Sequence, residues 1–191
     1  LADNVSGEQI RFVTCQCGKV QLRLVGSPIA TTSCYCTSCQ RAGRAFEKLP
    51  SAPPVLDPDG GSPALIYRKD RVCCVAGLQH LEARRLRPES PTRRVLATCC
   101  NSAMFGDFTK GHWLSVYRKR FAAGAPPVEM RIMTGERRAG VALAGDVPNY
   151  EKFPAVFLWR LIRAWVAMGF GRPDMGLGHL PGSTFQEDLI A

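Results

Sequence analysis

The sequence predicts a mainly β domain of small antiparallel sheets that carries zinc sites and adds a C-terminal α-helix. Three observations lead there. Nine cysteines fall in close groups, short stretches alternate apolar with polar residues between Gly, Pro and Asp turns, and one apolar run near the C-terminus has helical length. A chain of 191 residues suits one domain with a terminal extension. We expect the zinc-binding β domain over residues 1–125. The extension, residues 126–191, carries one helix, about residues 154–169, packing on that same domain.

The elements follow in chain order. Residues 11–25 alternate around Phe12, Val13, Val20, Leu22 and Leu24, with Cys15-Gln16-Cys17-Gly18 between them. That reads as a β-hairpin with two thiols at its tip. Residues 27–33 lead into a second cysteine group, and residues 40–45, polar and small, suit a loop or a short helix. The Pro and Gly of residues 51–63 mark a solvated connector, either a flap near a site or variable surface. Strands are expected at residues 64–67, 72–76, 80–86, 94–98, 113–118 and 128–133, an antiparallel rhythm. Pro154 fits a first helical turn, and Gly169 and Gly171 fit the exit. Arg160 and Arg163 share a face of that helix. Val156, Leu158, Trp159, Ile162, Trp165 and Val166 cover the remainder, so it should pack on a core, although Trp and Arg on one helix also suit an interface. Residues 180–191 read as a loose tail.

Composition excludes several classes. With 46% hydrophobic and 21% charged residues the chain is globular rather than disordered. No uncharged apolar run reaches 18 residues, so no membrane span is expected. Residues 1–7 show no basic segment followed by an apolar stretch, hence no secretory signal, and the expected location is cytoplasmic. The net charge of +9 comes from scattered Arg pairs without a dense basic run, which argues against a nucleic-acid face.

The cysteines carry the chemistry. Disulfide frameworks spread cysteines through a chain, whereas thiols two and three residues apart suit several bonds to one ion. Cys15 and Cys17, with Gly18 letting the backbone fold over a metal, need a second pair, and Cys99-Cys100 lies far enough downstream for a returning strand to supply it. Cys34, Cys36 and Cys39 place three thiols within six residues. Three ligands leave an ion one open position, where a water or a substrate thiol loses its proton readily. A fourth protein ligand such as Cys73, Cys74 or a His would instead close the site.

Taken together, C-x-C-G at residues 15–18, C-x-C-x-x-C at residues 34–39 and the later cysteine pair followed by Asn101-Ser102 resemble the glutathione-dependent formaldehyde-activating enzyme family, also called the centromere protein V type. The resemblance spans residues 11–121. It implies a β-tent fold, a structural zinc on Cys15 and Cys17 plus the late pair, and a second, catalytic zinc on Cys34, Cys36 and Cys39. The implied reaction joins glutathione to formaldehyde as S-hydroxymethylglutathione, a carbon–sulfur lyase-type step, with a small thiol and an aldehyde as partners. A non-catalytic zinc module that binds protein or nucleic acid is the alternative. This chain departs from the family at the late pair, where C-x-x-C-G is usual and Cys99 and Cys100 are adjacent. Neighbouring strand residues face opposite ways, so both reach one ion only if residues 98–101 turn sharply; Cys100 is the first choice.

Other residues receive structural readings. Cys73-Cys74 lies in a presumed strand and carries no role. His80, His112 and His179 lack ligand spacing and read as surface or satisfied core histidines. Arg41, Arg44 and Lys48 follow the triplet and read first as solvated charges, and second as candidates for the carboxylates of a glutathione-like substrate. Asp107 and Asp146 have no matching carboxylate for acid–base work.

Overall fold

The computed structural model describes residues 8–121, 124–171, 173 and 180–186. Eleven strands and two helices are found among them. The first hairpin pairs β1 (Ile10–Thr14) with β2 (Gln21–Val25), and β5 (Val72–Ala76) completes a three-stranded antiparallel sheet. The larger sheet has eight strands in the order β10-β3-β4-β9-β8-β7-β6-β11. Its antiparallel centre comprises β3 (Ala30–Cys34), β4 (Ser62–Arg68), β6 (Leu81–Arg85), β7 (Thr92–Ala97), β8 (Ser102–Phe108) and β9 (Trp113–Tyr117). Each edge is closed by a parallel strand from the C-terminal third: β10 (Met130–Ile132) on β3, and β11 (Gly182–Thr184) on β6.

The mainly β expectation therefore holds, but one sheet is large rather than small and is not wholly antiparallel. The expected strands appear at β4, β5, β6, β7, β9 and β10, with bounds that differ from expectation by no more than two residues. β8 had no place in the sequence reading, because Ala103, Gly106 and Asp107 blur its alternation. Residues 182–184 were expected to be a tail and instead form β11, which anchors the buried Phe185. Residues 187–191 of that expected tail, and residues 1–7 of the leader reading, lie outside the described residues.

Period-two alternation gives the large sheet two distinct faces. One face presents Leu65, Tyr67, Val95, Leu114 and Val116, which meet Val13, Leu22 and Leu24 of the small sheet in the main core. Gly77, in the left-handed region at φ +76, lets the chain leave β5 where a Cβ would come within 2.2 Å of the Lys19 carbonyl oxygen. The other face is roofed by two helices. Helix α1 (Thr37–Glu47) buries Ala45 and Phe46 against Leu96, Ala103 and Tyr117. Helix α2 (Ala155–Val166) lays Phe157 and Leu161 on Ala64, Ile66, Met130 and Ile132.

Helix α2 differs from expectation in how little of it is covered. Phe157 and Leu161 are its only buried residues, while Trp159 is 60% exposed and Val156, Leu158, Ile162 and Val166 are exposed too. A helix resting on a sheet touches it along one narrow stripe, so residues apolar all round leave much of their surface in water. His112 Nε2 lies 2.9 Å from the Leu161 carbonyl oxygen and its ring stacks on Trp165, making it a satisfied core histidine.

Candidate metal centres

Four thiols meet where the β1–β2 turn faces the β7–β8 turn. The amides of the first turn close on themselves: Cys15 N–H bonds the Val20 carbonyl and Gly18 N–H the Cys15 carbonyl, each at 3.0 Å. Gly18 sits at φ +79, a backbone state that other residues enter at a cost. Across from it, residues 98–101 form a tight turn, with Cys100 N–H on the Ala97 carbonyl at 3.3 Å and Asn101 at φ 52. That turn is the knuckle both late cysteines require. Cys99 Sγ stands 3.3 Å from Cys17 Sγ, 3.8 Å from Cys15 Sγ and 4.0 Å from Cys100 Sγ. Cys15 and Cys17 are 3.6 Å apart. Tetrahedral bonds of about 2.3 Å would set sulfurs about 3.8 Å from one another, so the four suit a closed thiolate site.

The surroundings favour negative sulfur there. Val20 N–H donates to Cys15 Sγ at 3.2 Å. The Ser102 hydroxyl lies 3.1 Å from Cys100 Sγ while accepting from Gln16 N–H at 3.0 Å. Burial works against the Cys100 thiolate, but bonds from Ser102, the Cys17 backbone and the Cys17 and Cys15 thiols bring its pKa down to about 6. Burial pushes Cys15 and Cys99 up, as expected when several thiols share a site without a cation.

The second cluster forms where β3 runs into α1. Cys34 ends the strand, Cys36 is the N-cap of the helix, and Cys39 lies in its first turn, with Cys39 N–H donating to Cys36 Sγ at 3.4 Å. Their three sulfurs lie within 4.8 Å of one another, and among the described residues no fourth His, Cys, Asp or Glu joins them. Hydrogen bonds from Cys34 and Cys39 hold the Cys36 thiol far below its usual range, while Cys34 is pushed well up by its bonds to Cys36 and Cys39 and by burial. A divalent cation would let all three ionise together. Both cysteine clusters could bind metal.

Arg94 supports this site from the sheet. The side chain is 3% exposed, and its Nη2 donates to the Ser38 hydroxyl at 2.7 Å and the Ser38 carbonyl at 3.2 Å, tying the first turn of α1 to β7. Its charge also favours the Cys36 and Cys39 thiolates. Its neighbour Arg93 faces the other way and, with Lys69, meets the buried Asp107 at 2.6 and 2.8 Å. The sequence reading saw only a charged pair at these positions. The strand period separates their roles, and β7 was expected to begin at Arg94.

Two recesses meet at Cys36. A polar cleft of about 530 Å³ is lined by Cys36, Ser38, Arg41, Arg87 and Glu89. A mostly apolar chamber of about 430 Å³ lies between the sheet and α2, lined by Cys34, Cys36, Cys39 and Arg94 together with Phe157 and Leu161. Of the basic candidates, Arg41 lines the cleft. Arg44 faces a separate shallow recess with Gln40, Glu136 and Arg138, and Lys48 is the C-cap of α1. Cys73 and Cys74 are half-buried on β5 and join neither cluster. His80 sits beside the β7–β8 turn, where its carbonyl accepts from Thr98 N–H at 2.8 Å; His179 lies outside the described residues.

Residues 11–52 match the model of a family described as glutathione-dependent formaldehyde-activating enzyme. The matched segment holds Cys15, Cys17, Cys34, Cys36 and Cys39, but not Cys99 or Cys100. No curated protein matches the chain. Among solved structures, the crystal structure of a Rhodobacter sphaeroides protein is similar over 60% of this chain and 91% of that one, with 15% identity and a TM-score of 0.43.

Proposed function

From the match of residues 11–52 to the glutathione-dependent formaldehyde-activating enzyme family, we propose that the chain is a member of that family and a zinc-dependent carbon–sulfur lyase-type enzyme. It would act on the adduct of an aldehyde with glutathione or another small thiol. The observation that carries this reading is the three-sulfur group of Cys34, Cys36 and Cys39, which lines the apolar chamber and through Cys36 also the polar cleft.

Two zinc ions are proposed, a structural one on Cys15, Cys17, Cys99 and Cys100 and a catalytic one on the triplet. Bound at the triplet, zinc would keep an entering thiol as its thiolate near neutral pH and polarise a carbonyl oxygen. The residues around it have separate tasks. Arg41 and Arg87 stand where the carboxylates of glutathione can be met. Arg94 fixes Ser38 and so the geometry of Cys36 and Cys39. The apolar walls of the chamber limit water near the reacting carbon. Nine unpaired thiols suit a reducing compartment, so the cytoplasm is the proposed location.

Cys36→Ser tests the reading, since Ser is a good N-cap and keeps the start of α1. Metal analysis should show one zinc fewer per chain, and thiol-adduct formation should fall by a factor of about a hundred or more, with the circular dichroism spectrum unchanged. Full activity in the variant would defeat the assignment.

A further inference from the structure

The chamber beside the triplet is ill suited to a one-carbon substrate. Its volume of about 430 Å³ lies in the range of small-molecule sites. Ile66, Phe108, Trp113, Ile132, Phe157 and Leu161 make its walls. They come from alternate positions of β4, β8, β9 and β10 and from the stripe of α2 that faces the sheet. Formaldehyde would leave nearly all of that apolar surface without a partner, whereas a carbon chain would remove it from water.

The charged residue lining the chamber is Arg94, beside smaller polar groups from Thr32, Ser38, Ser62, Thr92 and Ser115. Arg94, itself 3% exposed, spends Nη2 on Ser38, while its buried Nη1 has no hydrogen-bond partner. A buried guanidinium N–H without an acceptor is costly, and an oxygen of a bound molecule would satisfy it. Cys34, Cys36 and Cys39 line the same chamber. The thiol partner has its own access through the polar cleft, which also reaches Cys36 and holds Arg41 and Arg87.

We infer that the carbonyl substrate is an aldehyde bearing an apolar chain or ring of about eight carbons, with its body in the chamber and its oxygen on Arg94 Nη1. The inference rests on the carbon–sulfur reading above and names the substrate class of that site. In the step, the thiolate sulfur bonds to the carbonyl carbon and the C=O π pair moves onto oxygen beside Arg94. The proton released by the thiol then neutralises that oxygen, giving a thiohemiacetal with no change of oxidation state.

Gly106 provides the test. It lines the chamber from β8, and a Cβ built on it would meet nothing closer than 3.8 Å, so Gly106→Ile fills the space without disturbing the strand. Zinc-loaded protein is titrated with 1-octanol, an unreactive mimic of chain and oxygen, by calorimetry. Thiohemiacetal formation from glutathione with octanal and with formaldehyde is followed in parallel by NMR exchange. The wild type should bind octanol and favour octanal in kcat/KM by about tenfold or more, and Gly106→Ile should weaken octanol binding by about tenfold or more. Formaldehyde turnover without octanol binding, or a preference for formaldehyde, overturns the inference and leaves the lyase reading standing. Octanol binding that Gly106→Ile weakens, with neither aldehyde turned over, supports the ligand class and overturns the lyase reading.

Discussion

Asp107 illustrates how much one residue can carry here. It is 2% exposed and is held between Lys69 and Arg93, joining the turn before β5 to β7 and β8. Asp107→Asn removes the charge but leaves both cations in place. We expect a loss of about 3–5 kcal/mol in urea unfolding, with little change in metal content, since the ion triad lies on the strand face opposite Arg94. At the same scale the cysteines were the most legible residues. All seven proposed ligands are candidates from their close grouping, because a metal site made of short sequence clusters writes part of its geometry into local order. Arg94 could not be named. Its task depends on Ser38, 56 positions away, and spacing carries no trace of such a partner. Cys99 was second to Cys100 for a local reason as well: adjacency forbids a shared face in a strand, and only the turn ending in Asn101 removes that bar.

Among the elements, α2 separates packing from apolarity. Leu161 is 7% exposed and sits over Ile66 and Ile132, so Leu161→Ala should cost about 2–3 kcal/mol in thermal or urea unfolding. Trp159, on the outer face, should change stability by no more than about 0.5 kcal/mol when replaced by Ala. A comparable loss at the two sites would mean that the outer face is covered in solution. Sequence patterning found this helix within a residue or two of Pro154, because its breakers are sharp. It could not tell which face would be buried, since residues apolar all round carry little directional signal. Helix α1 was harder to read for the opposite reason. Its start is capped by a cysteine, and its buried stripe includes Gln40 and Gly43, residues that suggest a loop.

At the scale of the whole molecule, the two layers of the sequence reading fared differently. Alternation located most strands, but pairing order is non-local, and nothing in residues 126–191 announced that they supply both outer strands of the large sheet. A parallel partner needs no hairpin turn, so it leaves no turn signal. The domain limit expected at residue 125 cuts between β3 and its partner β10, whose pairing joins Met130 to Thr32. It also cuts between β6 and β11, where Ser183 lies opposite Arg84.

Those two clasps bear on how the chain reaches this arrangement. About a hundred residues separate each pair of partners, so during synthesis each rim of the large sheet stays unsealed until its late strand, β10 or β11, has left the ribosome. Nascent protein in that interval offers two unpaired backbone rows to any neighbour. A version ending at residue 125 should therefore retain the cysteine-rich half yet sediment as oligomers. Co-expressing residues 126–191 as a separate polypeptide should restore part of the monomer, which size-exclusion chromatography can measure.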